Sequence, residues 1–187
     1  MSKIYLASKS PRRSEIMEML PWEYQVEAID TDETMDQSKS LVENLHILAY
    51  TKAFPIAEKY PDSVVIGADT IVSVKDEVLG KPKDIEDAKR MLRLISSNVH
   101  SVYTGVSIVC LSRGIDIRFA EKTDVYMTPM GEDEIEYYIK EGEPFGKAGA
   151  YAIQGKGGVY VERINGDFYN VMGLPLNRLY KELKQII

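Results

Sequence analysis

Short apolar runs alternate with amphipathic helical patterns in the first third of the chain. Residues 4–7 form an apolar run that predicts a strand, and the apolar spacing over 12–20 predicts a helix. Residues 41–59 place apolar side chains on one helical face, which predicts a long amphipathic helix that Pro55 kinks or shortens. Residues 64–66 are β-branched and continuously apolar, as in a strand that is covered on both faces.

The remaining segments predict strands and helices in mixed order. They are a hairpin of 71–74 and 78–79 around 75–77, a helix at 84–94, strands at 99–111 and 116–127, a helix at 132–141, a strand at 159–164 and a helix at 174–187. Residues 146–158 contain too many glycines for either regular element. Because hairpins and helices are interleaved, we expect a three-layer α/β fold with a mixed sheet.

Composition narrows the protein class. A length of 187 residues suits one compact domain over 1–187 with a substantial core. The net charge of −6 argues against a protein that coats nucleic acid, since such binding needs many Lys and Arg side chains. The single Cys110 excludes an internal disulfide, and the sequence has no signal-peptide pattern or membrane-length apolar run. We therefore expect a cytoplasmic protein that binds neither nucleic acid nor a membrane.

Hydroxyl and guanidinium groups cluster at the first predicted strand-to-helix turn. Ser10 followed by Pro11 is a strong helix start, because a serine hydroxyl caps free N–H groups and proline suits the first helical position. Ser8, Arg12 and Arg13 stand beside this turn. Arginines at a helix start oppose the macrodipole unless an anion joins them, so the cluster suits a phosphate. The alternative is a capped helix with two surface arginines.

A second group of polar residues follows the predicted strand at 64–66. Asp69, next to Thr70, is expected at the carboxyl end of that strand, where α/β sheets place their ligands. Its carboxylate can hold Mg²⁺ or take a proton from water, although an Asp that begins a turn is the alternative. Lys81 is either a surface lysine or a cation that neutralises charge on phosphates.

Three further features carry less specific signals. The acidic stretch 30–36, which contains Glu33, is either a solvated loop or the source of a second carboxylate for a metal. Lys52 lies on the predicted long helix, where a surface lysine is the default interpretation. The small residues of 147–158 either form a flexible loop or allow a ligand close to the backbone, with the Gln154 amide facing the edge of a base.

Seven segments together resemble the Maf family. They are Leu-Ala-Ser-Lys-Ser-Pro-Arg-Arg at 6–13, Leu-Ala-Tyr-Thr-Lys-Ala at 48–53, Gly-Ala-Asp-Thr at 67–70, Gly-Lys-Pro at 80–82, His-Ser-Val-Tyr-Thr-Gly-Val at 100–106, Lys-Ala-Gly-Ala-Tyr-Ala-Ile-Gln-Gly at 147–155 and Val-Met-Gly-Leu-Pro at 171–175. They occur in the family's order and cover nearly the whole chain. From these motifs the chain is identified as a member of the Maf family.

The resemblance implies a fold and an activity. Maf-like proteins are related in fold to the inosine triphosphatases, with a mixed, twisted sheet and a cleft between two lobes. They hydrolyse the α-β phosphoanhydride of nucleoside triphosphates, giving the monophosphate and pyrophosphate. A divalent cation, Mg²⁺ or Mn²⁺, is the expected cofactor, and a homodimer is the candidate oligomeric state. The alternative is a nucleotide-sensing regulator of septum formation that does not turn its ligand over.

The resemblance also implies residue roles. Asp69 corresponds to the proton acceptor and a metal ligand, and Glu33 to a second position that binds the metal or orients water. The residues implied around the triphosphate are Ser8, Arg12, Arg13, Lys52 and Lys81. Arg12, Thr70 and Gln154 match the branch that acts on dTTP and UTP. Phe145-Gly146 departs from relatives that often carry an acidic residue there, which leaves the structure of that loop open.

Overall fold

The structure is a computed structural model that describes residues 3–75 and 77–187. Within these ranges the strands are β1 (Ile4–Leu6), β2 (Tyr24–Val26), β3 (Val64–Val74), β4 (Glu77–Leu79), β5 (Val99–Cys110), β6 (Ile115–Met127) and β7 (Val161–Asn165). The helices are α1 (Pro11–Met17), α2 (Leu41–Lys59), α3 (Ile85–Ile95), α4 (Glu132–Lys140), α5 (Phe168–Met172) and α6 (Leu176–Ile186).

The seven strands form one mixed sheet. Its order is β2-β1-β3-β5-β6-β7, and β4 pairs with β3 beside this path. The strand β1 runs parallel to both β2 and β3, whereas β3 with β4 and β6 with β7 are antiparallel pairs. The predicted mixed α/β fold is therefore confirmed.

The chain forms two compact units, and each has its own apolar core. The first unit comprises residues up to Asp69 together with Thr104–Glu121 and Gly173–Ile187. In its core, α2 packs on strands β1, β3 and β5, and the rings of Tyr5 and Tyr60 stack with their centroids 4.3 Å apart. The prediction of a single domain over 1–187 stays a prediction.

The second unit comprises Thr70–Tyr103 and Lys122–Met172. Helices α3 and α4 contribute the largest share of its core side chains, and both helices have one strongly apolar face. Asp84 begins α3, because its side chain accepts a hydrogen bond of 2.8 Å from the N–H of Asp87. The core is completed by side chains from β3 to β6 and by Tyr151 in the glycine-rich segment.

The long helix α2 has the bounds that the sequence predicts. Ser40 and Glu43 form a capping box, in which Ser40 N donates to Glu43 Oε2 at 2.8 Å and Glu43 N donates to Ser40 Oγ at 3.3 Å. Pro55 lies inside the helix and does not shorten it, and the alternative, a kink at Pro55, stays a prediction. Although proline removes one backbone hydrogen bond, the helix continues beyond Pro55 to Lys59.

The position of Asp69 in its strand differs from the prediction. The strand continues through Asp69 to Val74, because the alternating apolar residues after Thr70 pair with β4 in the predicted hairpin. Residue 76, which belongs to the predicted hairpin segment 75–77, lies outside the described residues. The parallel pairing of β1 with β3 ends at Leu6 and Ile66, so Asp69 does follow the parallel part of the ladder.

No helix in the described ranges combines the length and the apolar character needed to cross a membrane.

Candidate active site

The carboxylates of Asp69 and Glu33 hold the ammonium group of Lys52 between them. Lys52 Nζ donates a hydrogen bond of 2.7 Å to Glu33 Oε1 and also donates to Asp69 Oδ1. The side chains of Lys52 and Asp69 are 12% and 13% exposed, whereas that of Glu33 is 47% exposed. Two carboxylates therefore converge on one cation, and Glu33 forms the solvent side of the cluster.

Two glycines allow α2 to approach the sheet closely enough for Lys52 to reach these carboxylates. A Cβ atom at Gly67 would lie 2.2 Å from the carbonyl oxygen of Ala49, and one at Gly105 would lie 2.7 Å from Leu45 Cβ. Since both distances are far shorter than van der Waals contact, any larger residue would push the helix away from the sheet. The glycine of the Gly-Ala-Asp-Thr motif thus helps to build the site.

A buried asparagine on α2 holds the loop that carries Glu33. Asp36 N donates to Asn44 Oδ1 at 2.7 Å, and Asn44 Nδ2 donates back to the carbonyl oxygen of Asp36 at 2.9 Å. Asn44 lies eight residues before Lys52, which corresponds to about two turns of the same helix. The helix therefore contacts the acidic loop at two points, and sequence reasoning missed the first of them.

The other acidic residues of this loop serve local structure. Asp30 forms an exposed ion pair of 2.7 Å with Lys9. Asp32 Oδ1 accepts a hydrogen bond of 2.9 Å from the N–H of Thr34. Among the acidic residues of the stretch 30–36, Glu33 is therefore the one whose described contacts include Lys52.

Hydrogen bonds to Gly173 and Ser8 orient Arg13. Its Nε atom donates to the carbonyl oxygen of Gly173 at 2.8 Å, and Nη1 donates to Ser8 Oγ at 3.1 Å. Burial lowers the pKa of Arg13, while the negative charge of Asp69 acts in the opposite direction. The guanidinium keeps its charge at neutral pH and contributes a fixed positive charge near the carboxylate.

The predicted cap of α1 is partly wrong. Proline occupies the first turn as expected, but the hydroxyl of Ser10 makes no capping hydrogen bond within the described residues. The N–H of Arg13 donates instead to the carbonyl oxygen of Ser10 at 3.2 Å, and the N–H of Ser10 donates to Ser8 Oγ at 3.2 Å. The buried hydroxyl of Ser8 thus organises the turn. Burial lowers the pKa of Arg12 beside it, with Glu15 acting in the opposite direction.

Three of the predicted site residues belong to the second unit. Thr70 is half-buried in β3, while Lys81 and Gln154 are exposed. The segments that carry Lys81 and Gln154 are neighbours, because Gly149 N donates to the carbonyl oxygen of Gly80 at 3.1 Å. The roles of these three side chains stay predictions.

The family model described as Maf-like protein matches residues 3–186. A dTTP/UTP pyrophosphatase of Geobacillus sp. (strain WCH70) is 47% identical over 186 residues, which cover 100% of this chain and 99% of the relative. A dTTP/UTP pyrophosphatase of Bacillus cytotoxicus is 45% identical over 185 residues, which cover 99% of this chain and 96% of the relative.

A solved structure has a similar fold. The Staphylococcus aureus Ham1 protein matches with a TM-score of 0.56 over 98% of this chain and 99% of that protein. Its sequence identity is 15%, so this likeness concerns the fold alone. The near full-length match to the family model agrees with the sequence motifs and with the mixed sheet. The chain therefore belongs to the family of Maf-like proteins.

Proposed function

We propose that this protein is a nucleoside triphosphate pyrophosphatase that converts dTTP and UTP to the monophosphate and pyrophosphate. The observation that carries the proposal is the arrangement of Asp69, Lys52 and Glu33 beside Arg13, in a chain 47% identical to a relative named dTTP/UTP pyrophosphatase. The names of the relatives favour an enzyme over a regulator that binds nucleotide without turnover.

In this proposal, Asp69 accepts a proton from the water that attacks the α-phosphorus. The bond between the α-phosphorus and the oxygen that bridges it to the β-phosphorus breaks, and pyrophosphate leaves with the electron pair of that bond. No covalent enzyme intermediate is needed, because water itself is the nucleophile. Asp69 suits this role since it is held in place by Lys52 and is largely buried, which strengthens its electrostatic interactions.

The positive side chains serve the triphosphate. Lys52, Arg12 and Arg13 together carry three positive charges, against two negative charges on Asp69 and Glu33. This surplus of positive charge favours the binding of an anion such as a triphosphate. The same cations are already in position to stabilise the negative charge that grows on the departing pyrophosphate. Lys81 is proposed to act on the same phosphates.

A divalent cation fits the residues present. The described residues contain no group of three or more His, Cys, Asp or Glu side chains suited to a metal. However, Asp69 and Glu33 already converge on one positive charge, that of Lys52. One or two carboxylates completed by substrate phosphates and water are typical of Mg²⁺ sites, so these two residues would hold Mg²⁺ or Mn²⁺. When bound, such a cation polarises a phosphoryl oxygen and neutralises its charge.

The remaining proposals concern selectivity and location. Arg12, Thr70 and Gln154 are proposed to select dTTP and UTP, with the Gln154 amide at the edge of the base. A cytoplasmic location and the absence of nucleic-acid binding remain predictions from sequence. A homodimer likewise remains a candidate oligomeric state.

A pyrophosphate-release assay with a panel of nucleoside triphosphates tests the proposal. We expect release with dTTP and UTP in the presence of Mg²⁺ or Mn²⁺, and much less with purine nucleotides. A protein that binds these nucleotides and releases no pyrophosphate with either metal would be a regulator, and the enzymatic proposal would fail.

A further inference from the structure

A carboxylate lies inside the glycine-rich loop of the second unit. Glu143 follows α4, and its two oxygens accept hydrogen bonds from loop backbone. Lys156 N donates to Oε2 at 3.0 Å, and Gly157 N donates to Oε1 at 3.0 Å. Successive backbone N–H groups that point at one anion form a nest, and here a side chain of the protein occupies it.

Tyr138 extends this arrangement to the other side of Gln154. Its hydroxyl donates to Glu143 Oε1 at 2.7 Å and accepts a hydrogen bond of 3.1 Å from the N–H of Ala152. The loop is thus held two residues before Gln154 and again at Lys156, two residues after it. Gln154 is exposed and makes no side-chain hydrogen bond with any described residue.

The glycines of the loop make room for these contacts. A Cβ atom at Gly155 would lie 2.3 Å from Glu143 Oε2, and one at Gly157 would lie 2.5 Å from the hydroxyl oxygen of Tyr138. Neither carboxylate nor hydroxyl could reach the backbone past a larger side chain. The loop is therefore built around Glu143, and its glycine content does not imply flexibility.

Glu143 is charged at neutral pH. Burial acts to raise its pKa, but hydrogen bonds from Gly157 N, the Tyr138 hydroxyl and Lys156 N outweigh burial and leave the pKa below its ordinary value. Hydrogen bonds to an ionised acceptor are stronger than neutral ones. The charge on Glu143 thus strengthens the contacts that hold the loop.

We propose that Glu143 is a positioning residue that sets base selectivity by fixing the loop around Gln154. The inference rests on the proposed function, in which Gln154 contacts the base. A freely moving amide can turn to present either its donor or its acceptor to a given base atom. A backbone held on both sides limits the side-chain conformations of Gln154 that reach the base, and so favours one direction of approach and one pattern of base edge.

Uracil and cytosine provide the readout, since their base edges carry opposite hydrogen-bonding groups. Uracil accepts at its 4-oxygen and donates from its ring N–H, whereas cytosine donates from its 4-amino group and accepts at the ring nitrogen. The test compares kcat/KM for UTP and CTP in the wild type and in Glu143→Gln. We expect the UTP to CTP ratio to fall about tenfold, the value of one well-placed hydrogen bond. Hydrogen exchange of the amides of residues 152, 156 and 157 should accelerate in the variant.

A double-mutant cycle separates positioning from general stability. In the background of Gln154→Ala, Glu143→Gln should change the ratio by less than twofold. Glu141→Gln is the matched control, because Glu141 ends the same helix and pairs with the exposed side chain of Lys156 rather than with loop backbone. We expect it to leave the ratio unchanged. If Glu143→Gln does not fold, Tyr138→Phe removes the bridging hydroxyl without changing charge and carries the same expectation.

The outcomes distinguish this inference from the proposed function. A Gln154→Ala variant with reduced selectivity, combined with normal selectivity in Glu143→Gln, would overturn the inference and leave the base contact intact. If Gln154→Ala itself keeps the wild-type ratio, the base contact in the proposed function fails, and the positioning role fails with it.

Discussion

The Nε atom of Arg13 donates a hydrogen bond of 2.8 Å to the carbonyl oxygen of Gly173, 160 positions later in the chain. Gly173 has a φ angle of +115°, a conformation that residues with a side chain rarely adopt. The direction of this carbonyl therefore depends on glycine. One backbone conformation in the Val-Met-Gly-Leu-Pro segment thus orients a proposed phosphate-binding guanidinium on the first helix.

Gly173→Ala should weaken substrate binding through Arg13. We expect a loss of about 1–3 kcal/mol in the free energy of unfolding, which is the usual cost of a residue forced into a sparsely populated conformation. The displaced carbonyl should raise KM for UTP about tenfold, with a smaller change in kcat, since one hydrogen bond to a charged group is lost. Steady-state kinetics and urea denaturation measure both effects.

Gly114→Ala is the control for backbone strain. Gly114 has a φ angle of +61° in the turn between β5 and β6, and apart from its chain neighbours no atom of a described residue lies within 4 Å of the position of its Cβ. The variant should lose stability and keep the wild-type KM. Equal KM values in the two variants would show that Gly173 does not act through Arg13.

Gly67→Ala should disrupt the site by moving α2. The new Cβ would overlap the carbonyl oxygen of Ala49, which is backbone and cannot rotate away. We expect a loss of about 1–3 kcal/mol or more in the free energy of unfolding, typical of an overpacked interior. Activity should fall as well, because Lys52 and Asp69 separate.

Gly80→Ala is the control for this substitution, since among the described residues only its chain neighbours lie within 4 Å of its Cβ position. Its free energy of unfolding should stay within about 0.5 kcal/mol of the wild type. A Gly67→Ala protein with wild-type stability in urea denaturation would contradict the packing described for α2.

His100 should make the protein less stable in weak acid. Its ring is buried, and burial lowers the pKa to about 4, with Asp124 acting in the opposite direction. An unfolded histidine has a pKa of about 6.5, so between these values the unfolded state binds a proton that the folded state does not. Stability is therefore lost as the pH falls from about 6.5 towards 4, by about 2 kcal/mol at pH 5.

His100→Gln should remove about 2 kcal/mol of the stability difference between pH 7 and pH 5. Glutamine can still bond to the Tyr151 hydroxyl, which lies 2.7 Å from His100 Nε2. Tyr151→Phe is the control, because it removes the hydrogen bond and keeps the imidazole. Urea denaturation at the two pH values measures both, and an unchanged difference in His100→Gln would rule out this source of acid sensitivity.

Glu33→Gln should weaken the response to metal. With one carboxylate of the pair neutralised, the concentration of Mg²⁺ or Mn²⁺ that gives half-maximal activity should rise about tenfold, while kcat at saturating metal changes less. Asp30→Asn is the control, because Asp30 lies in the same loop and pairs with Lys9. Identical metal titrations in the two variants would remove Glu33 from the metal site.

The sequence predicted those features that depend on local patterns. The bounds of α2 follow from its apolar face, and the hairpin of β3 and β4 follows from alternating apolar residues. The short elements β2 and α5 were not predicted, since three and five residues are too few to show a periodicity. The strand predicted at 64–66 was expected to end near Asp69. In the structure β3 continues to Val74, because its last residues pair with β4.

The contacts that assemble the site depend on tertiary structure. Gly67 matters because a helix crosses it, and Asn44 matters because a distant loop folds back on it. Neither relationship leaves a pattern within one segment. The family motifs identified Asp69 and Lys52 as site residues, but the contact between the two side chains is visible only in the structure.

Hydrolysis of UTP in water labelled with oxygen-18, by the wild type and by Asp69→Asn, tests the central claim most directly. We predict that the wild type places the label in UMP and leaves pyrophosphate unlabelled, because water attacks the α-phosphorus. The Asp69→Asn variant should keep its fold by circular dichroism and lose activity by several orders of magnitude. Label in pyrophosphate or in free phosphate, or near wild-type turnover by Asp69→Asn, would contradict the account.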